Sequence, residues 1–131
     1  MEFKKIWHNE PYLASNIGGI IKNEITGKVL SQRAKAPTKE AYNKGHTYLY
    51  VKLCPQKRPK KEYLVHRLIA IAWKKNTNHN KLQVNHVDGN RHNNDAANLQ
   101  WVTASKNQFH KHKLIREKIK IEYWQSVKAP F

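Results

Sequence analysis

Three features of this sequence predict an α+β fold. Short β-branched and aromatic runs broken by Gly and Asn fill the first part of the chain. One stretch, residues 66–73, carries its apolar side chains at helical spacing. Two strand-like segments, 82–87 and 98–102, flank a polar Asn-rich loop and precede a helix start at Thr103. On this reading the chain divides into a β-rich module at 1–60, a core at 61–112 and a helical tail at 113–131.

In the first module, residues 12–16, 20–23 and 28–31 read as small strands separated by Ile17-Gly18-Gly19 and Thr26-Gly27. Residues 32–44 read as a polar loop, and 46–53 as a well-buried strand. Pro55 and Pro59, with Lys57, Arg58, Lys60 and Lys61, make a basic turn leading to a partner strand at 62–65. In the helix from His66, Leu68, Ile69, Ala72 and Trp73 fall at i, i+1, i+4 and i+5, one apolar face. Trp73 and Trp101 are core candidates, and Cys54 a half-buried residue at a strand end. Strand 82–87, loop, strand 98–102 and a helix from Ala104 form a ββα arrangement, with Ser105, Lys106, Asn107, His110 and Lys111 on the helix. Ile115, Ile119 and Tyr123 recur every fourth residue beyond it.

Charge narrows the function. Among 131 residues, 25 Lys and Arg face 9 Asp and Glu, a net charge of +16. Such a field attracts polyanions, nucleic acid first and an anionic membrane surface second. The membrane reading is the weaker, because no apolar run approaches the roughly 20 residues that a helix needs to span a bilayer. Lys4 and Lys5 are followed by no apolar signal region, so a cytoplasmic protein is expected. A single cysteine excludes an intramolecular disulfide and a Cys-rich zinc finger.

Three blocks agree in order and spacing: residues 84–90 (Val-Asn-His-Val-Asp-Gly-Asn), 98–103 (Asn-Leu-Gln-Trp-Val-Thr) and 105–107 (Ser-Lys-Asn). Together they resemble the HNH endonucleases of phages and mobile introns. Residues 65–70 are similar to the helix preceding that family's motif. Trp7 with residues 12–19 resembles the small module placed before many such nucleases. The resemblance covers residues 7–110 and implies a ββα-metal core acting on double-stranded DNA, with one divalent ion, Mg²⁺ or Mn²⁺, and no small-molecule cofactor.

The resemblance also implies roles. His86 corresponds to the general base that takes a proton from the attacking water, and Asn98 to the residue that orients its imidazole. Asn85 and Asn107 correspond to the metal ligands, with His110, one turn beyond Asn107, as a possible addition. Arg67, Arg91, His92 and Lys106 flank the motif blocks and are expected to meet the DNA backbone. Taken alone, Asp88, Gly89, Asn90 and Asn94 read as ordinary turn residues, and His66 as structural. One site per chain serves one strand per encounter, which leaves nicking and double-strand cleavage, monomer and dimer, all open. Two rivals stand beside this reading: an HNH-fold protein that binds DNA but has lost its chemistry, and an RNA-binding basic protein supported by charge alone.

The first rival arises from a departure. Known members of the family carry Asp where this chain has Asn85, so a neutral carboxamide replaces a carboxylate beside the metal. Asn85→Asp should lower the Mg²⁺ concentration for half-maximal cleavage by about tenfold, for which about 1.4 kcal/mol suffices. Coincident Mg²⁺ titrations of the two proteins would remove residue 85 from the ligand set.

Overall fold

The computed structural model describes residues 1–35, 38–43, 47–76 and 83–103. Among the described residues, eight short strands form three small antiparallel sheets around one central α-helix. Strands β1 (Phe3–Lys5), β2 (Tyr12–Ser15) and β3 (Ile21–Asn23) form the first sheet, in the order β1-β2-β3. Next come β4 (Gln32–Ala34), a five-residue helix α1 (Lys39–Asn43), β5 (Leu49–Leu53) and β6 (Lys61–Leu64). The second sheet runs β4-β5-β6. Helix α2 (Val65–Trp73) follows β6 without a loop, and the last pair is β7 (Gln83–His86) and β8 (Leu99–Val102).

The α+β class is the one the sequence predicts, with several local differences. The segment expected as a polar loop at 32–44 contains β4 and α1. Gln32 and Arg33 were readable only as polar, but β4 is an edge strand with half-exposed faces, where polar residues pair as well as apolar ones. The strand expected at 28–31 reduces to one bridge between Lys22 and Val29. Cys54 is exposed rather than half-buried. The helix expected from Ala104 and the tail at 113–131 lie outside the described residues.

Helix α2 organises the core. Val65, Leu68, Ile69 and Ala70 are buried on it, and it packs against β1, β2, β5, β6, β7 and β8. Its burial at this crossing brings Ala14 and Ile21 of the first sheet, Val51 and Leu53 of the second, and Val84 and Leu99 of the third into one cluster. Two indole N–H groups fix the end of the helix. Trp73 Nε1 donates to the Ala14 carbonyl at 2.9 Å, and Trp101 Nε1 to the Lys74 carbonyl at 2.9 Å. These bonds explain why two tryptophans sit at the margin of the core, since a half-buried indole needs an acceptor for its N–H.

Polar bonds tie the first sheet to the second. The Tyr12 hydroxyl accepts from the Cys54 backbone N–H at 3.0 Å. Glu10, only 1% exposed, accepts from the backbone N–H groups of Gln56 at 3.0 Å and Lys57 at 2.8 Å. Those two donors hold the Glu10 carboxyl below its ordinary range despite burial, and Arg58 and Lys57 add to the effect.

A carboxylate with a depressed folded pKa stabilises the fold above its unfolded pKa, and that contribution is lost as pH falls through the folded value. Glu10→Gln should therefore lower the urea midpoint near neutral pH, with the difference from the parent closing as pH falls below the ordinary carboxylate range. A difference independent of pH would show that the Glu10 charge contributes nothing.

Candidate active site

Strands β7 and β8 pair in the register Asn85↔Gln100 and His86↔Leu99, so His86 ends its strand where the connecting loop begins. Asn85, His86 and Asn94 are all buried, at 7%, 5% and 3% exposure. Eleven residues separate His86 from Asn98, and they hold together largely through side-chain hydrogen bonds.

Asn98 and Asp88 form the knot of this loop. Asn98 Oδ1 accepts from the Asp88 backbone N–H at 3.1 Å, while its Nδ2 donates to Asp88 Oδ1 at 3.0 Å and to the Asn93 carbonyl at 2.9 Å. The Asn98 carbonyl accepts from Val87 N–H at 2.9 Å. Asp88 Oδ1 also accepts from Asn90 N–H, and Oδ2 from Asn93 Nδ2, each at 2.8 Å. Gly89, with φ of +77°, turns the chain so that its N–H reaches the His86 carbonyl at 2.9 Å. Partial burial pushes the Asp88 carboxyl up, but the bonds from Asn93, Asn90 and Asn98 outweigh it and hold the group ionised. Both Asp88 oxygens are thereby engaged inside the loop.

The imidazole partner is Asn94. His86 Nε2 lies 2.8 Å from Asn94 Oδ1. The sequence reading assigned this contact to Asn98, whose side chain instead secures the loop one step further out. Asn94, expected as an ordinary turn residue, has the direct contact. In a loop with Asn at 85, 90, 93, 94 and 98, the residue types do not say which amide faces the ring. Because a carbonyl oxygen only accepts, Nε2 carries the proton and Nδ1 is the basic nitrogen.

An aromatic stack borders the imidazole. The His66 ring centroid is 4.9 Å from that of His86, and Tyr48 lies 5.0 Å from His66 and 6.2 Å from His86. Burial, with His86, Arg67 and Arg91 nearby, lowers the His66 pKa to about 3, so this ring is neutral in the working range. Burial also lowers the His86 pKa. The Asn94 bond and the Asp88 charge oppose the shift, and Arg91 and His92 reinforce it. A neutral His86 is the form that can accept a proton.

The residues expected to meet DNA separate. Arg91 lies beside the site, its Cζ 4.5 Å above the Tyr48 ring. His92 Nε2 is 3.0 Å from the Thr47 hydroxyl. Arg67 rests on the Trp101 ring at 5.6 Å. Lys106, Asn107 and His110 lie outside the described residues. Among the described residues no group of three or more His, Cys, Asp or Glu could hold a metal ion. Asn85 supplies a buried neutral oxygen donor next to His86, which fits a hard divalent cation that keeps most of its waters.

Residues 63–109 match the family model described as HNH endonuclease. Two uncharacterized HNH endonucleases of Acanthamoeba polyphaga mimivirus are similar to it. One is 40% identical over 102 residues, covering 77% of this chain and 23% of the relative. The other is 34% identical over 109 residues, covering 83% and 32%. This chain thus spans a third or less of those relatives' lengths. A solved structure concerning DNA binding and cleavage by the HNH homing endonuclease I-HmuI superposes with a TM-score of 0.64 at 29% identity. That match covers 97% of this chain and 66% of the other.

If Asn98 secures the loop, Asn98→Ala should cost about 1–3 kcal/mol of unfolding free energy, the range for leaving polar partners unsatisfied. Amide exchange at Asp88, whose N–H the Asn98 side chain accepts, should accelerate. Unchanged denaturation and unchanged exchange would contradict that role.

Proposed function

We propose that this protein is a metal-dependent DNA endonuclease in which His86 is the general base. The observation that carries the reading is the buried, neutral His86 with Nε2 fixed on Asn94, inside the segment that matches the HNH family. The +16 charge and the likeness to a DNA-cleaving homing endonuclease favour double-stranded DNA as substrate. The module at 1–60 would extend the DNA footprint of the core at 61–112, and the tail at 113–131 completes this division.

The chemistry is hydrolysis of a phosphodiester. A water oxygen attacks phosphorus, its proton passes to His86 Nδ1, and the P–O3′ bond breaks with the electron pair leaving on the 3′ oxygen. Asn94 holds the Nε2 proton in place and favours the imidazolium as it forms. Arg91, braced on Tyr48, is placed to meet a backbone phosphate beside the base. Asn85 and Asn107 would hold the divalent cation, Mg²⁺ or Mn²⁺, which when bound offsets negative charge developing on the leaving oxygen.

The neutral Asn85 favours a second reading, a DNA-binding protein that keeps the fold without the chemistry. EDTA-sensitive nicking of a supercoiled plasmid separates the two. His86→Ala should lower the cleavage rate by about 10² to 10⁴, while the duplex Kd stays within about twofold, because a neutral imidazole adds little to charge-driven binding. Cleavage by this variant at the parental rate would remove His86 from the mechanism.

A further inference from the structure

The first sheet reaches the active-site loop through one tight turn. Residues 16–19 connect β2 to β3, and Ser15, fully buried, stiffens the turn. Its Oγ donates to the Ile17 carbonyl and accepts from Ile20 N–H, both at 2.8 Å. Gly18 and Gly19 both take the left-handed conformation, with φ of +83° and +61°. Gln32 Nε2 from β4 donates to the Gly19 carbonyl at 2.5 Å and ties the turn to the second sheet.

Three contacts join this turn to residues 94–96. Gly18 N–H donates to Asp95 Oδ1 at 2.6 Å, and Ala96 N–H donates to the Asn16 carbonyl at 2.8 Å. Between these bonds Gly19 lies against Asn94 so closely that a Cβ on Gly19 would be 2.8 Å from the Asn94 Cβ. The residue enclosed on that side is the one whose Oδ1 holds His86 Nε2.

We propose that the turn at residues 16–19 is a positioning element for the active site, which sets the orientation and tautomer of His86 through Asn94. The inference rests on the nuclease reading for its effect on rate, but not for its effect on the imidazole. The physical reason is the loop's construction. Side-chain amides knot residues 88, 93 and 98 to one another, whereas the two residues that follow Asn94 are bonded to the turn of the first sheet, Asp95 through its carboxylate and Ala96 through its N–H. A displacement of Asn94 moves the acceptor that fixes Nε2–H and so redirects Nδ1. Misplacement of a reacting group by about 1 Å costs roughly a hundredfold in rate. The first module thus acts on catalysis as well as on the footprint.

The two glycines supply a matched pair of variants. Gly18→Ala and Gly19→Ala impose the same class of backbone strain, because both positions have positive φ. Only Gly19→Ala presses on Asn94. A Cβ at Gly18 meets Met1 and Ile20 side-chain atoms at 3.7 and 3.8 Å, ordinary contact distances. The experiment compares single-turnover plasmid cleavage in Mg²⁺, duplex Kd, and the ¹⁵N resonances of the His86 ring in the full-length chain. Gly19→Ala should lower the cleavage rate by about tenfold to a hundredfold, leave Kd within about twofold and shift the His86 nitrogens away from the Nε2–H pattern. Gly18→Ala, which strains the same turn without reaching Asn94, should shift the ring pattern and lower the rate clearly less than Gly19→Ala does.

Asp95→Ala, which keeps both glycines and Asn94, should shift the ring pattern in the same direction and keeps the test open if Gly19→Ala does not fold. In an Asn94→Ala background, Gly19→Ala should cause no further loss of rate. Equal effects of the two glycine variants, or a parental ring pattern in folded Gly19→Ala and in Asp95→Ala, would overturn the proposal. If the parent cleaves no DNA, the nuclease reading falls, and the ring nitrogens alone decide the inference.

Discussion

A buried imidazole at the end of a strand must find a hydrogen-bond partner that the backbone ladders do not supply. His86 stands at the last position of its strand, 5% exposed, and its partner is a side-chain amide eight residues further on. The dense use of Asn between residues 85 and 98 follows from this constraint. Each carboxamide offers a donor and an acceptor on a short stem, so a loop of this length can satisfy itself. Asp88 is the one carboxylate of the inner knot and accepts from three neighbours. It keeps its charge, and burial lowers the His86 pKa in spite of that charge.

The basic charge is organised by a different rule. With 25 cations and 9 carboxylates in the sequence, ion pairing cannot neutralise the surface. Two ion pairs among the described residues, Lys5–Glu24 and Lys35–Glu62, are both substantially exposed. Many cationic side chains rest instead on aromatic faces: Lys4 on Trp73, Arg58 on Trp7, Arg67 on Trp101 and Arg91 on Tyr48. Such contacts fix the stem without cancelling the charge, and the field remains directed at a polyanion.

The sequence made the scaffold readable wherever periodicity or spacing was strong. Helix α2 shows its apolar face plainly, and the strands on either side of the loop lie within a residue or so of their expected positions. His86 was readable because its separation from Asn98 and the blocks around both agree with a known motif. What spacing could not convey was the division of labour among similar amides. Asn94 and Asn98 are chemically identical, and only the folded path of the loop decides which one touches the ring. Strand β4 escaped notice because a three-residue edge strand of Gln, Arg and Ala has no apolar signature. The approach of Gly19 to Asn94 spans 75 positions of sequence and has no local signal at all.

The central claim is that the ring nitrogen of His86 opposite Asn94 faces the phosphodiester that is cut. A crystal structure of the full chain with an uncleaved duplex, held in Ca²⁺, tests it directly. The account expects a backbone phosphate within one water of His86 Nδ1, about 3 Å for each hydrogen bond, with the Arg91 guanidinium on a phosphate of the same strand. A duplex bound elsewhere, with the His86 ring beyond reach of any phosphate, would contradict it.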